Sequence, residues 1–186
     1  MMAAPLITHS SIPDVFFFSP NVFEDERGYF FESYQKKYFE QQSVCIDFVQ
    51  DNQSSSKKGT LRGLHYQIEN TQAKLLRVIS GEIYDVAVDI RKSSPTFGKY
   101  VSIILSSKNK TQIFIPEGFA HGFYVLSDSA EILYKASDYY NPKAERSILW
   151  SDPDLSIDWP IKPEIPLVIS PKDKAALLLK DAELFK

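Results

Sequence analysis

Residues 82–91 read EIYDVAVDIR, and no other stretch limits the fold as strongly. Tyr84, Val86, Val88 and Ile90 share one face of an extended chain, with Asp85, Asp89 and Arg91 on the other. A period of two belongs to a β-strand, because helical neighbours recur every three or four residues. Similar strand-forming runs lie at 73–80, 100–105, 112–115, 121–126 and 130–137. Turn residues separate them: Ser80-Gly81, Ser93-Ser94-Pro95, 106–110, Pro116-Glu117-Gly118 and Asn141-Pro142. Many short strands with close turns predict an all-β antiparallel sandwich or barrel. Helix is expected only at the flanks. Residues 33–42 (SYQKKYFEQQ) suit a short one, and SPKDKAALLL offers Ser170 as N-cap, Pro171 at the first helical position and Asp173 three residues after the cap. The polar run 53–59 (QSSSKKG) reads as a loop.

With 186 residues and no internal repeat or linker, the chain is expected to be one domain, 1–186. Its single cysteine, Cys45, excludes an internal disulfide and a Cys-rich zinc site, and suits a reducing compartment. The apolar run Val15–Phe18 is too short for a signal peptide or a membrane span, so a cytoplasmic protein without membrane attachment is expected. A net charge of −3 argues against nucleic-acid binding but leaves room for local basic groups around one small anion.

A polar group on an apolar strand face needs a reason to be there. Tyr134 shares its face with Ala130, Ile132 and Ala136; His121 with Phe119, Phe123 and Val125; Lys74 with Leu76 and Val78. Each alone is explained by ordinary structure: a core tyrosine bonded at its rim, a hydrogen-bonded core histidine, a lysine snorkelling from a sheet edge. Together they point to a polar pocket inside the barrel. In TLRGLHYQ (60–67), Arg62 and His65 are three apart, so a regular strand sends them to opposite faces. A bulge at Gly63 between them brings both into one pocket.

The segment Pro116-Glu-Gly-Phe-Ala-His121 resembles the second cupin motif, a Pro-x-Gly turn leading into a strand with an inward histidine. The first cupin motif normally supplies His-x-His and a later glutamate. Here Gln67 follows His65 in place of the second histidine, and Thr71 or Gln72 falls where the glutamate belongs. With only His9, His65 and His121 available, three or four strong metal ligands are not assembled, so no metal site is expected.

An ordered series of motifs is similar to the dTDP-4-dehydrorhamnose 3,5-epimerase family over most of the chain. It runs from EDERGYFFE (24–32) through FVQDNQ (48–53), TLRGLHYQ, QAKLLR (72–77), DVAVDIR (85–91), SPTFG (94–98), PEGFAHGF (116–123), LYK (133–135) and WSDP (150–153) to SPKD (170–173). Residues 69–71 (ENT) depart from the family, which often has proline there. The resemblance implies a cupin-type antiparallel jelly-roll barrel with short flanking helices. It also implies a homodimer in which the N-terminal segment, about residues 1–30, crosses to the partner and residues near Arg27 complete the neighbouring site. The implied substrate is a dTDP-4-keto-6-deoxy sugar, and no cofactor is implied.

By similarity, His65 is the base, and imidazole's ordinary pKa of about 6.5 suits that task near neutrality. Tyr134 matches the acid on the opposite face, Lys74 the group that stabilises the enolate, and Asp173 the carboxylate that orients His65. Local sequence alone explains Asp173 as a helix-start residue, and both roles coexist if that helix abuts the pocket. Arg27, Arg62 and Lys172 are implied as diphosphate ligands. Glu32, Gln50, Asp51, Asn52, His121 and Glu145 match nucleotide or sugar contacts, and Tyr139 a ring stacked on thymine. Two other readings remain: an epimerase acting at C3 or C5 only, and a non-catalytic cupin that binds a sugar nucleotide. The joint presence of His65, Lys74, Tyr134 and Asp173 disfavours the second.

Overall fold

The computed structural model describes residues 4–186, in which strands are numbered in chain order. One antiparallel sheet has the order β1 (Leu6–His9), β2 (Phe16–Ser19), β10 (Gln112–Ile115), β7 (Lys74–Ser80), β12 (Ser129–Ala136), β5 (Gln50–Lys57). The second has the order β13 (Glu145–Ser147), β6 (Leu61–Gln67), β11 (Phe119–Val125), β8 (Glu82–Asp89), β9 (Tyr100–Ser106). A separate hairpin pairs β3 (Phe23–Asp25) with β4 (Gly28–Phe30). The two large sheets form the jelly roll that the alternating sequence and its motifs foretell.

The inner faces supply the main core. Leu76, Val78, Ile113, Ile115, Ala130 and Ile132 from the first sheet pack with Ile83, Ala87, Val101, Phe119, Phe123 and Val125 from the second. Strand β8 is buried on both faces, since Val86, Val88 and Ile90 pack outward against Leu155, Trp159 and Leu179 of the C-terminal segment. Its aspartates therefore lie on the inter-sheet face, and Asp85 and Asp89 are fully buried. Asp89 is held there by Arg91, Ser94 and Thr96. The Val15–Phe18 run is core: Phe16 and Phe18 pack with Tyr38 and Phe39 on the outer side of the first sheet.

Three expectations need correction. The stretch expected to be a loop at 53–59 lies largely in β5, which pairs with β12 along eight residue positions. Strand β5 is the edge of its sheet, and alternate residues Asn52 and Ser54 line a polar cavity, so the apolar alternation that marks a strand is missing. The helix expected over 33–42 is shorter, α1 at Lys36–Glu40, and its N-cap Gln35 gives no side-chain cap. The C-terminal helix is one turn, α2 at Pro171–Lys174, capped by Ser170. It ends because the chain just beyond is captured by β6's sheet, where Ile148 bridges Leu177 and the Leu149 N–H donates to the Leu177 carbonyl at 2.8 Å.

The bulge is present. His65 pairs with His121, while Arg62, three residues back on β6, pairs with Phe123, two residues on along β11. Gly63 absorbs the extra residue at φ +127°, and its peptide to Leu64 is cis. Gly122 lies directly against it: a Cβ on Gly63 would stand 2.5 Å from the Gly122 Cα and 2.8 Å from the His121 carbonyl oxygen. Both neighbours are backbone and cannot swing away. Gly63→Ala is accordingly expected to cost about 1–3 kcal/mol through overpacking, with more from the positive φ. Chemical denaturation measures this, and an unchanged midpoint would contradict it.

Candidate active site

Between the sheets, beside the β5 and β13 edges, lies a cavity of about 280 Å³. The second sheet brings His65 and His121 to it, and the first brings Lys74, Tyr134 and Asn52. Arg62 reaches the same cavity through the bulge. Its Nε donates to the Ser56 hydroxyl at 3.0 Å and its Nη2 to the Ser55 carbonyl at 3.2 Å, so the β6 bulge is tied to the facing edge strand.

Asp173 comes from α2, where its backbone N–H donates to the capping Ser170 hydroxyl at 3.0 Å. That leaves the side chain free for His65, whose Nε2–H donates to Oδ1 at 2.6 Å. The Gly63 N–H points to the other oxygen at 3.5 Å. Burial pushes the Asp173 carboxyl up, but the bonds from His65, Ser170 and Gly63 together hold it below the ordinary carboxylate range. An anionic Asp173 keeps the proton on Nε2 and leaves Nδ1 with a free lone pair.

Lys74 is enclosed, and burial pulls its ammonium down from 10.5 to about 8 despite the negative charge of Asp85 and Glu145 nearby. Its Nζ lies 6.0 Å from the centre of the Tyr134 ring. Burial pushes the Tyr134 phenol up, which keeps it a proton donor at neutral pH. At the mouth, Glu145 accepts from the Tyr140 hydroxyl at 2.8 Å and from Lys172. Burial raises the Glu145 carboxyl, but these two partners hold it below the usual range.

Some expected site residues lie elsewhere in this chain. Asp51 points to the opposite side of β5 from Asn52, as strand parity demands, and binds Lys135 at 3.0 Å. Tyr139 is exposed and outside the lining, which its neighbour Tyr140 joins instead. Glu32 accepts from Gln35 at 3.3 Å beside a separate small cleft. Arg27 sits on the β3–β4 hairpin, paired with Asp25 at 2.5 Å and with its side chain 85% exposed. Gln50 supports the site from beside it, donating to Asn52 at 3.0 Å and accepting from the Tyr140 N–H at 3.0 Å.

One participant was not expected as a site residue, and another was noted only as standing where a metal ligand would be. Asp85 Oδ2 accepts from His121 Nε2 at 2.9 Å, a second buried carboxylate–imidazole pair. The sequence placed Asp85 with Asp89 and Arg91 on the polar face of its strand, with no sign that this face is buried. Gln67, standing where a cupin's second histidine would, spends its amide on the backbone. It donates to the Asn70 and Tyr139 carbonyls at 2.7 and 3.3 Å and accepts from the Asn141 N–H at 2.9 Å, which fixes the loop carrying Tyr140. Among the described residues, no group of three or more His, Cys, Asp or Glu converges as a metal ion would require. Nor is any helix there long and apolar enough to cross a membrane.

Comparison with known proteins agrees with this geometry. The family model described as dTDP-4-dehydrorhamnose 3,5-epimerase matches residues 9–181. The dTDP-4-dehydrorhamnose 3,5-epimerase of Salmonella typhimurium is 55% identical over 96% of this chain and 98% of its own length. That of Pseudomonas aeruginosa is 53% identical with the same two coverages. A crystal structure of the dTDP-6-deoxy-D-glucose-3,5-epimerase of Legionella pneumophila, in complex with dTDP-4-keto-L-rhamnose, superposes with a TM-score of 0.93. It is 52% identical and covers 96% of this chain and 95% of that one.

Proposed function

The chain belongs to the dTDP-4-dehydrorhamnose 3,5-epimerase family, and on that premise we propose that its inter-sheet cavity inverts C3 and C5 of dTDP-4-dehydro-6-deoxy-D-glucose. The product is dTDP-4-dehydro-L-rhamnose, and the enzyme is an isomerase of dTDP-L-rhamnose biosynthesis. The observation that carries the mechanism is the division of labour between sheets: the basic histidine stands on one, the phenol and the ammonium on the other.

The substrate's stereochemistry asks for that division. In the D-gluco ring the hydrogens on C3 and C5 are both axial on one face, flanking the C4 carbonyl. A single base below C4 therefore serves both centres. Nδ1 of His65 takes the proton, and the C–H electron pair moves into the carbonyl to give an enolate. Lys74, held as an ammonium, stabilises the new negative charge on O4. Tyr134 then delivers a proton from the other face, which inverts the carbon, and solvent restores both groups before the second centre reacts. Asp173 keeps His65 in the required tautomer and offsets its positive charge. Arg62 serves the diphosphate, with Lys172 at the mouth. No cofactor takes part in this scheme.

The same reading makes a homodimer of single-domain subunits, in the cytoplasm. The exposed Phe23, Tyr29 and Phe30 of the β3–β4 hairpin, with Arg27 at its turn, support a role for that arm in contacting a partner. Asp51, Glu32 and Tyr139 are left without a part in this chain's own cavity.

The proposal is tested by product analysis. Enzyme is incubated with dTDP-4-dehydro-6-deoxy-D-glucose, the ketone is reduced with borohydride, and the sugars are released and identified. L-Rhamnose is expected, and recovery of D-sugars alone would refute the activity. Tyr134→Phe is expected to slow inversion more than proton removal, so solvent exchange at C3 outlasts product formation. Equal loss of both would argue against its role as the acid.

The pH dependence follows from Lys74. Its protonated form is the active one, so kcat/KM is expected to fall above about pH 8 as the buried ammonium deprotonates. Stability moves the other way. Between about 8 and the ordinary 10.5 the unfolded chain holds this proton and the folded one does not, so the lysine's contribution to stability rises with pH through that window. A rate profile flat to pH 10 would contradict the assignment.

A further inference from the structure

Resting on the proposed activity, we infer that Phe123 and Ile132 form the subsite for the sugar's C6 methyl and thereby select 6-deoxy over 6-hydroxy substrates. Of the side chains lining the cavity, these two alone carry no nitrogen or oxygen. They come from opposite sheets, Phe123 from β11 and Ile132 from β12, and both are deeply buried, at 5% and 2% exposure.

Strand register fixes where they stand. Phe123 is one same-face step beyond His121, and Ile132 one same-face step beyond Tyr134, a displacement of about 7 Å along each strand. Both steps lead the same way: Phe123 pairs with Arg62 across β6, and Ile132 with Ser54 across β5. The apolar pair thus lies one same-face step from the proton-transfer groups, at the end of the cavity that Arg62 occupies.

The ligand has a matching order of groups. C4, with its carbonyl, belongs beside Lys74. C5 is next to C4, and C6 projects from C5 along the ring-oxygen edge, the edge that also leads to C1 and its diphosphate. With the diphosphate drawn toward Arg62, the C6 substituent faces the Phe123–Ile132 rung. A methyl there meets carbon on both sides. A hydroxymethyl would surrender its water without gaining a partner, a discrimination of about 10- to 100-fold for a hydrophobic subsite.

Stable sugars without the ketone allow a test at equilibrium. Affinities are measured for dTDP, dTDP-6-deoxy-D-glucose and dTDP-D-glucose with wild type, Ile132→Thr and Phe123→Tyr. Both variants keep strand propensity while placing a hydroxyl in the subsite; Phe123→Tyr adds only the hydroxyl, whereas Ile132→Thr is also one heavy atom smaller. The wild type is expected to prefer the 6-deoxy sugar by at least about 10-fold. Each variant should shrink that ratio severalfold, and normalising both sugars to the affinity for dTDP removes any effect on the diphosphate held by Arg62 beside this rung. A wild-type ratio near one overturns the inference at once. A ratio unchanged in whichever variant still binds dTDP overturns the assignment to these residues. The proposed activity stands or falls separately, on whether the wild-type enzyme yields L-rhamnose in the reduction assay.

Discussion

His65→Ala abolishes solvent exchange at both C3 and C5, lowering it by about 10²–10⁴-fold, the range expected for removal of a positioned general base. Both centres should fail together, because in the proposed reaction one imidazole serves one face of the ring. His9 is not placed to replace it, since it bonds Pro13 and Gln42 in the N-terminal region; His121 lines the same cavity with its Nε2 held by Asp85 at 2.9 Å, and any residual exchange is assigned to it. Truncation also strips the buried Asp173 carboxylate of its closest donor, leaving Ser170 and the Gly63 N–H at 3.5 Å, which costs about 1–3 kcal/mol in stability. His65→Asn retains a donor and separates the two effects. It should stay as inactive as the alanine variant while recovering part of the lost stability, and both should still bind dTDP. Exchange within about tenfold of wild type in His65→Asn would place the base elsewhere.

Asp173→Asn carries the second large effect, about 10²–10⁴-fold in kcat, because the dyad's work is electrostatic and tautomeric. The asparagine keeps the carboxylate's shape. If its amide NH2 turns to His65, Nε2 must accept, and the proton moves to Nδ1, the nitrogen that has to be free. If its oxygen turns there, the tautomer survives but the imidazolium loses its counter-charge. Either way the loss is in the chemical step and leaves substrate binding nearly untouched. Helix α2 is expected to survive the change, because the Asp173 N–H still donates to the capping Ser170 hydroxyl. Combining His65→Ala with Asp173→Asn should cost little beyond His65→Ala alone, since the two act as a unit. A variant with near-normal kcat and a lowered denaturation midpoint would make Asp173 a structural residue only.

Legibility in the sequence followed the physics of each element. Strands with an apolar inner face declared themselves through alternation, and the same parity turned Lys74, His121 and Tyr134 inward. The bulge was legible because Arg62 and His65 straddle a glycine at an odd spacing. Strand β5 was not, because its inward positions Asn52 and Ser54 face a polar cavity and leave no apolar period to detect. The burial of Asp85 and its pairing with His121 were hidden for a related reason. Alternation separates two faces without saying which is covered, and here the C-terminal segment buries the outer one. Asp51 shows the limit of motif matching: it stands in the same matched segment as Asn52, yet the neighbouring positions of a strand face opposite ways. The dyad joins residues 108 apart, and only the folded structure brings Asp173 to His65.

In the proposed reaction one base on one face, working through an enolate, inverts both carbons beside the ketone. The most direct test is the wild-type reaction with dTDP-4-dehydro-6-deoxy-D-glucose in deuterated water, followed by NMR of the product. Deuterium is predicted at both C3 and C5, each in the inverted configuration. Deuterium at one carbon alone, or inversion without deuterium, would contradict it.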